Sequence, residues 1–171
     1  VERVGRFRMR GVTAKINLAL DAMPAFPALP DDCPALRGGL RLAMPMEKLE
    51  QAFDDWRNHM PPRTPLIEAL IPSIADRSLA PVGKHVMSVA VHFVPEVLHD
   101  GAWTQARKDD FTDLVISEIA AHSPGFKDLI LATETLVPPD IESEVGLTAG
   151  DFEQGEMSLD QMFFNRPMPG L

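Results

Sequence analysis

The sequence predicts an α+β domain: a mixed, largely antiparallel sheet of about five strands with helices packed on one face. Three observations predict it. The stretch "VTAKINLALDAMP" alternates, with Val12, Ala14, Ile16, Leu18 and Leu20 on one side and Thr13, Lys15, Asn17 and Asp21 on the other. That period of two marks a strand with one buried face. Two later stretches instead carry apolar residues at steps of three and four, the period of a helix with one buried stripe. Strand-like and helix-like segments then follow one another in the order β-β-α-β-β-α-β-α, with no internal repeat.

Each element has its own signal. After the first strand, "PAFPALPDDCPALRGG" is a proline-punctuated loop, and "LRLAM" is a short second strand. Pro45 suits the first turn of a helix. Met46, Leu49, Phe53, Trp56 and Met60 form its stripe, expected in the core, and Pro61 and Pro62 end it. "TPLIEALIPS" is a third strand and "GKHVMSVAVHFVP" a longer, Val-rich fourth. Thr104 caps a helix running to about His122, with Phe111, Leu114, Val115 and Ile119 as its buried stripe. "KDLILATETLV" is a fifth strand. "PPDIESEVG" is a short helix, with prolines at its start and Gly146 at its end. The 16 prolines sit mainly at element boundaries, so they punctuate an ordered domain.

With 171 residues the chain is read as one domain, 1–171, long enough to bury a core. Its net charge of −9 argues against nucleic acid or an anionic membrane as partner. The local exception, "RVGRFRMRG" with Arg3, Arg6, Arg8 and Arg10, is read as a solvated stretch protecting a sheet edge. No apolar run approaches the ~18 residues that span a bilayer, and none is expected to cross one. The single cysteine, Cys33, fits a reducing cytoplasm and is read as incidental beside Asp31 and Asp32. The start at Val1 suggests removal of something upstream.

Chemistry is sparse. There is no G-x-G-x-x-G, P-loop or G-x-S-x-G. The five histidines, His59, His85, His92, His99 and His122, have no metal-ligand spacing. His85 and His92 point to opposite faces of one strand. Glu68 and Glu134, carboxylates inside apolar strands, either reach a partner or titrate high, and the salt-bridge reading of Glu68 leads. The residues alone hold no complete active site.

Several blocks in order resemble the C-terminal third of phytoene-desaturase-like FAD-dependent oxidoreductases. More narrowly they resemble the branch containing pyridine nucleotide-disulfide oxidoreductase domain-containing protein 2. The blocks are "RGVTAKINLALDAMP", "PLIEALIPSIADRSLAPVGKHVMSVAVHFVP", "SPGFKDLILATETLVPPDIE", "VPPDIESEVGLTAGD" and "GEMSLDQMFFNRPMPG", from about Met9 to Pro169. The resemblance implies a substrate-binding domain whose sheet roofs a flavin and positions an apolar small-molecule substrate for hydride transfer. The FAD-binding Rossmann domain would lie elsewhere in the parent protein, so this chain alone is expected to be inactive and to hold no FAD. Gly155–Pro167 would form the flavin-proximal wall, with Met157, Asp160, Gln161 and Arg166 as cofactor-side candidates. The missing FAD domain is the implied partner, and residues 155–171 the implied surface for self-association. Glu153 and Gln154 stand where the family carries an aromatic-histidine pair, so no histidine role transfers there. The alternative reading is a free-standing ligand-binding or protein-interaction module without redox activity, or one that pairs two copies.

Overall fold

The structure is a computed structural model that describes residues 7–9, 13–30 and 33–162. Five strands carry the fold: β1 (Thr13–Leu20), β2 (Leu40–Arg41), β3 (Leu66–Leu70), β4 (His85–His92) and β5 (Ile130–Leu136). They form one sheet in the order β2-β3-β4-β1-β5, and every pairing is antiparallel. Three helices complete it: α1 (Met46–Arg57), α2 (Gln105–His122) and α3 (Pro138–Val145). The expected α+β order is thus the observed one.

Register decides what each face carries. Ile16 pairs with Val89, and Ala14 with Val91, while Val91 and Val89 pair on their other side with Ile67 and Ala69. Directly paired residues share a face. This face is therefore a continuous apolar layer of Ala14, Ile16, Leu18, Leu20, Ile67, Ala69, Met87, Val89 and Val91, all buried. Phe111, Val115, Ile116 and Ile119 of α2 pack into the same core with Trp103 and Phe126. Each fully buried side chain of this size contributes about 1.5–3 kcal/mol.

α2 starts where Thr104 Oγ1 accepts the Arg107 N–H at 3.4 Å. It is tied to β5 by the Thr112–Thr135 hydroxyl pair at 2.6 Å, and to α3 by Lys108 Nζ and Asp140 Oδ1 at 2.6 Å. Asp140 also accepts the Val137 N–H at 3.0 Å, capping α3. Gly146 ends α3 in the left-handed region, at φ 78°. Gly150 has a positive φ of 65°, and a Cβ there would lie 2.4 Å from the Pro138 carbonyl oxygen. Only glycine lets the chain pass so close to α3.

Two stripes differ from expectation. In α2, Leu114 is only half-buried, whereas Thr112 and Ile116 are buried. In α1, the residues turned inward are Ala52 and Asp55, while Met46 and Phe53 are 66% and 41% exposed. The cause lies outside the helix. Asp55, 1% exposed, accepts from the Arg63 backbone N–H at 3.0 Å and from its Nη2 at 2.8 Å. A buried carboxylate needs those donors. Satisfying it rotates α1 so that its aromatic side meets Phe93 just past β4, with Phe53 and Phe93 edge to face at 5.6 Å.

Candidate functional site

The second face of the sheet carries mainly polar and small side chains, with Leu70 and Leu136 among them. One cross-strand row runs Leu136, Lys15, Ala90, Glu68, Arg41 from β5 to β2. The adjacent row runs Glu134, Asn17, Ser88, Leu70. Ala90 and Ser88 are too short to fill the space above β4. A cavity of about 440 Å³ lies there, walled by Lys15, Arg41, Glu68, Leu40 and Leu70. That volume is within the usual range for small-ligand sites.

Most charges on this face are already engaged. Glu68 forms an ion pair with Arg41, and its Oε2 lies 3.3 Å from His92 Nε2. Burial, and then the nearby Arg41 guanidinium, push the His92 imidazole below its ordinary range, with Glu153 opposing. The result is a ring that resists protonation beside a carboxylate ion-paired with Arg41. Along the next row, Ser88 Oγ donates to Asn17 Oδ1 at 3.1 Å, and Asn17 Nδ2 donates to Glu134 Oε2 at 2.9 Å. Lys15 differs: it is half-buried, and its ammonium makes no hydrogen bond or ion pair among the described residues. Burial pushes its ammonium down from the ordinary lysine range.

The second region is the segment near the described C-terminal end. Asp151, buried, accepts the Glu153 N–H at 3.0 Å and the Gly155 N–H at 3.2 Å, folding the chain back. Glu156, Ser158, Asp160 and Gln161 then close on Arg8. Its Nε donates to Glu156 Oε2 at 2.6 Å, and its Nη2 to Ser158 Oγ at 2.7 Å and Asp160 Oδ1 at 2.8 Å. The backbones join too: the Glu156 N–H donates to the Arg8 carbonyl at 2.7 Å, and the Arg8 N–H to Gln161 Oε1 at 2.8 Å. The Arg8 guanidinium, and then the Ser158 hydroxyl, hold the Asp160 carboxyl down to about 2.

The sequence candidates are therefore distributed as follows. Asp160 and Gln161 belong to this clasp with Arg8. Met157 is 66% exposed and lines a groove of about 390 Å³ with Phe53, Trp56 and Phe93. Arg166, Phe163 and Phe164 lie outside the described residues. None of Met157, Asp160 and Gln161 lines the cavity over Ala90. Arg8 is exposed, in keeping with the solvated reading of the arginine-rich stretch, and it also holds two carboxylates, which that reading did not include. Glu68 is ion-paired, as read, and Glu134 is bonded to Asn17. Sequence reasoning missed Lys15, Arg41 and Arg8. Lys15 stood on the polar side of a strand, but no single strand reveals that Ala90 lies opposite it.

A dinucleotide's pyrophosphate needs free backbone N–H groups at a glycine-rich turn opening a helix. The described helices do not offer one. α1 opens at Pro45, α2 uses Thr104 to cap its own first turn, and α3 opens with two prolines and is capped by Asp140. The described residues thus do not fit the phosphate end of FAD. Among them, no group of three His, Cys, Asp or Glu side chains is arranged to hold a metal ion. No described helix is long and apolar enough to cross a membrane.

Fold and site together define a class: an α+β domain whose single sheet is sealed by helix on one side and bears a mixed polar and apolar cavity on the other. No family model matches the chain. Over 176 aligned residues it is 37% identical to pyridine nucleotide-disulfide oxidoreductase domain-containing protein 2 of Rattus norvegicus, and 38% identical to the protein of that name from Mus musculus. Both alignments take in 99% of this chain and 30% of the relative. The chain is thus similar, along nearly all its length, to about three tenths of proteins named as oxidoreductases.

Proposed function

We propose that this chain is the substrate-side domain of an FAD-dependent oxidoreductase of the phytoene-desaturase-like kind. The open sheet face would cover the space in which substrate meets the flavin. The observation that carries the reading is the division of the sheet: the apolar face is closed by α2, while the other holds the cavity over Ala90 and Ser88. A sheet face left open and lined by a few placed polar groups among small and apolar ones suits a ligand better than solvent. The relatives' name and length support the wider frame, in which a separate domain supplies the flavin. The flavin, when bound there, would accept the hydride. This chain's residues would bind and orient the substrate and exclude water, its apolar body lying across Leu70 and Ala90. Met157, exposed beside Phe53 and Phe93, is the part of the predicted flavin-side wall available to a neighbouring domain. Asp160 and Gln161 would act on that wall through their hold on Arg8.

The test uses the complete product of the gene. It should be yellow, and reducing substrates should bleach the flavin band under anaerobic conditions. Ala90→Trp, which fills the cavity, should abolish bleaching and leave flavin content unchanged. A colourless complete product that binds ligands on this face would instead make it a binding module. Unchanged bleaching in Ala90→Trp would remove the sheet face from the reaction.

A further inference from the structure

We propose that Lys15 anchors the acidic head group of an amphiphilic ligand, the anion meeting its ammonium and the apolar body lying over Ala90 toward Leu70. This rests on the reading of the open sheet face as a ligand surface and specifies the ligand's class: a carboxylate or phosphate on an apolar body.

Three observations carry it. First, Lys15 is the odd member of its face. Glu68 has Arg41 and His92 beside it, and Glu134 has Asn17, but the Lys15 ammonium has no hydrogen bond or ion pair among the described residues. A cation that has lost part of its water and gained no counter-ion is destabilised until an anion arrives. Its diagonal neighbour Glu134 is the nearest carboxylate in register, and its Oε2 is occupied by Asn17 Nδ2. Second, the residues paired with Lys15 are Ala90 and Leu136. The side facing β4 is open because alanine leaves a notch. Lys15 and Glu68 stand on the two strands flanking β4, about 10 Å apart at the backbone. A ligand group fits between them, and the local charges select its sign. Lys15 repels cations from one side, while Glu68 on the other is already neutralised by Arg41. Third, beyond the notch the open face carries the exposed Leu70 side chain in the row of Ser88, so an acid attached to an apolar chain satisfies both ends. The lowered titration range of Lys15 agrees with this geometry, because an arriving anion would restore it.

The 171-residue chain itself serves for the test, with amide NMR spectra recorded against octanoate, octyl phosphate, octanol and octylamine. Octanoate and octyl phosphate should move the amides of Lys15, Ser88 and Ala90 saturably, at least tenfold tighter than octanol or octylamine. Which acid binds tighter tells carboxylate from phosphate. Lys15→Met should weaken the acids about tenfold or more, the usual size of a lost charge-assisted hydrogen bond, and leave octanol unchanged. Lys15→Arg should keep most of the affinity, and well-dispersed spectra verify that both variants fold. Acids that bind no tighter than octanol, or as tightly to Lys15→Met, overturn the anchor while leaving the ligand face intact. So do shifts confined to the separate cavity beside Arg37 and Arg77. If no amphiphile moves any amide of the open face, the proposed substrate face fails together with the anchor.

Discussion

The two faces of the sheet are made by the same strands, residue by residue, yet they do different work. Ile16 and Asn17 are neighbours on β1. Ile16 is fully buried under helix, and Asn17 bridges Ser88 and Glu134 on the open side. On the sealed face the three strands β3, β4 and β1 give a continuous buried apolar layer, and at β5 the Thr135 hydroxyl is paired with Thr112 of α2. On the open face polar and small side chains stand among a few apolar ones such as Leu70, and the polar ones bond to each other rather than to a covering element. Stability is concentrated on one side of the sheet, so the other is free to be shaped by a ligand.

The sharpest way to break this contrast is to truncate both neighbours. Ile16→Ala should cost about 2–5 kcal/mol, as buried Ile or Leu truncations do. Asn17→Ala should cost no more than about 1–1.5 kcal/mol, since its hydrogen bonds are partly solvated. Urea denaturation of the two variants checks this, and equal losses would mean the open face is structural as well.

A second comparison sets the open face against the groove by Met157. Leu159 is 82% exposed and Phe53 and Met157 are also at the surface. Exposed apolar clusters promote association. Light scattering of the wild-type chain should show concentration-dependent self-association, and the double substitution Met157→Lys, Leu159→Lys should suppress it. If a charge at Leu70 on the open face suppresses it instead, the sticky surface is the sheet.

A smaller effect concerns pH. Burial lowers the His92 pKa in the fold, so protonation is resisted there more than in the unfolded chain. The unfolded state then binds more protons as pH falls below the ordinary 6.5, and stability declines with it until pH has passed below the folded value. His92→Gln should flatten this part of the stability profile. A slope unchanged between pH 6.5 and 5 would assign it to another group.

The smallest expected change is at the clasp. Asp160 has its pKa lowered to about 2, so its contribution is present above the ordinary 3.8 and lost as pH falls through about 2. Amide exchange in residues 156–161 should accelerate over that window, and in Asp160→Asn at all pH values, with little change in global unfolding because the pair is solvent-exposed. Exchange that is indifferent to Asp160→Asn would show that the backbone bonds alone hold the segment.

Much of the fold was legible because its signals are local. The alternation in β1, Thr104 at the start of α2, the prolines opening α3 and Gly146 closing it each depend on residues a few positions apart. The strand order and register are not local, and they decide the site. That Lys15 faces Ala90, and that Arg41 reaches Glu68, follows from pairings between segments far apart in sequence. The inward turn of α1 was hidden for a related reason. A helical stripe of Met46, Phe53 and Trp56 promises a core, but one buried carboxylate, Asp55, with its partner Arg63 outside the helix, outweighs the stripe. The partners of the exposed Arg8 were not legible because its carboxylates lie about 150 positions later in the chain.

The Arg8 clasp also makes a doorway of the fold. The backbones of Arg8 and Glu156 touch although 148 positions separate them, so the chain comes in and goes out of the sheet layer at one place. A loop closed at its neck can be carried within a longer polypeptide as a detachable module, its interior indifferent to what is spliced on either side. Joining the chain near residues 8 and 161 and opening it at an exposed turn such as Gly83 should leave sheet and cavity intact. Movement arriving along either flank would meet the guanidinium and its two carboxylates before it reached any strand.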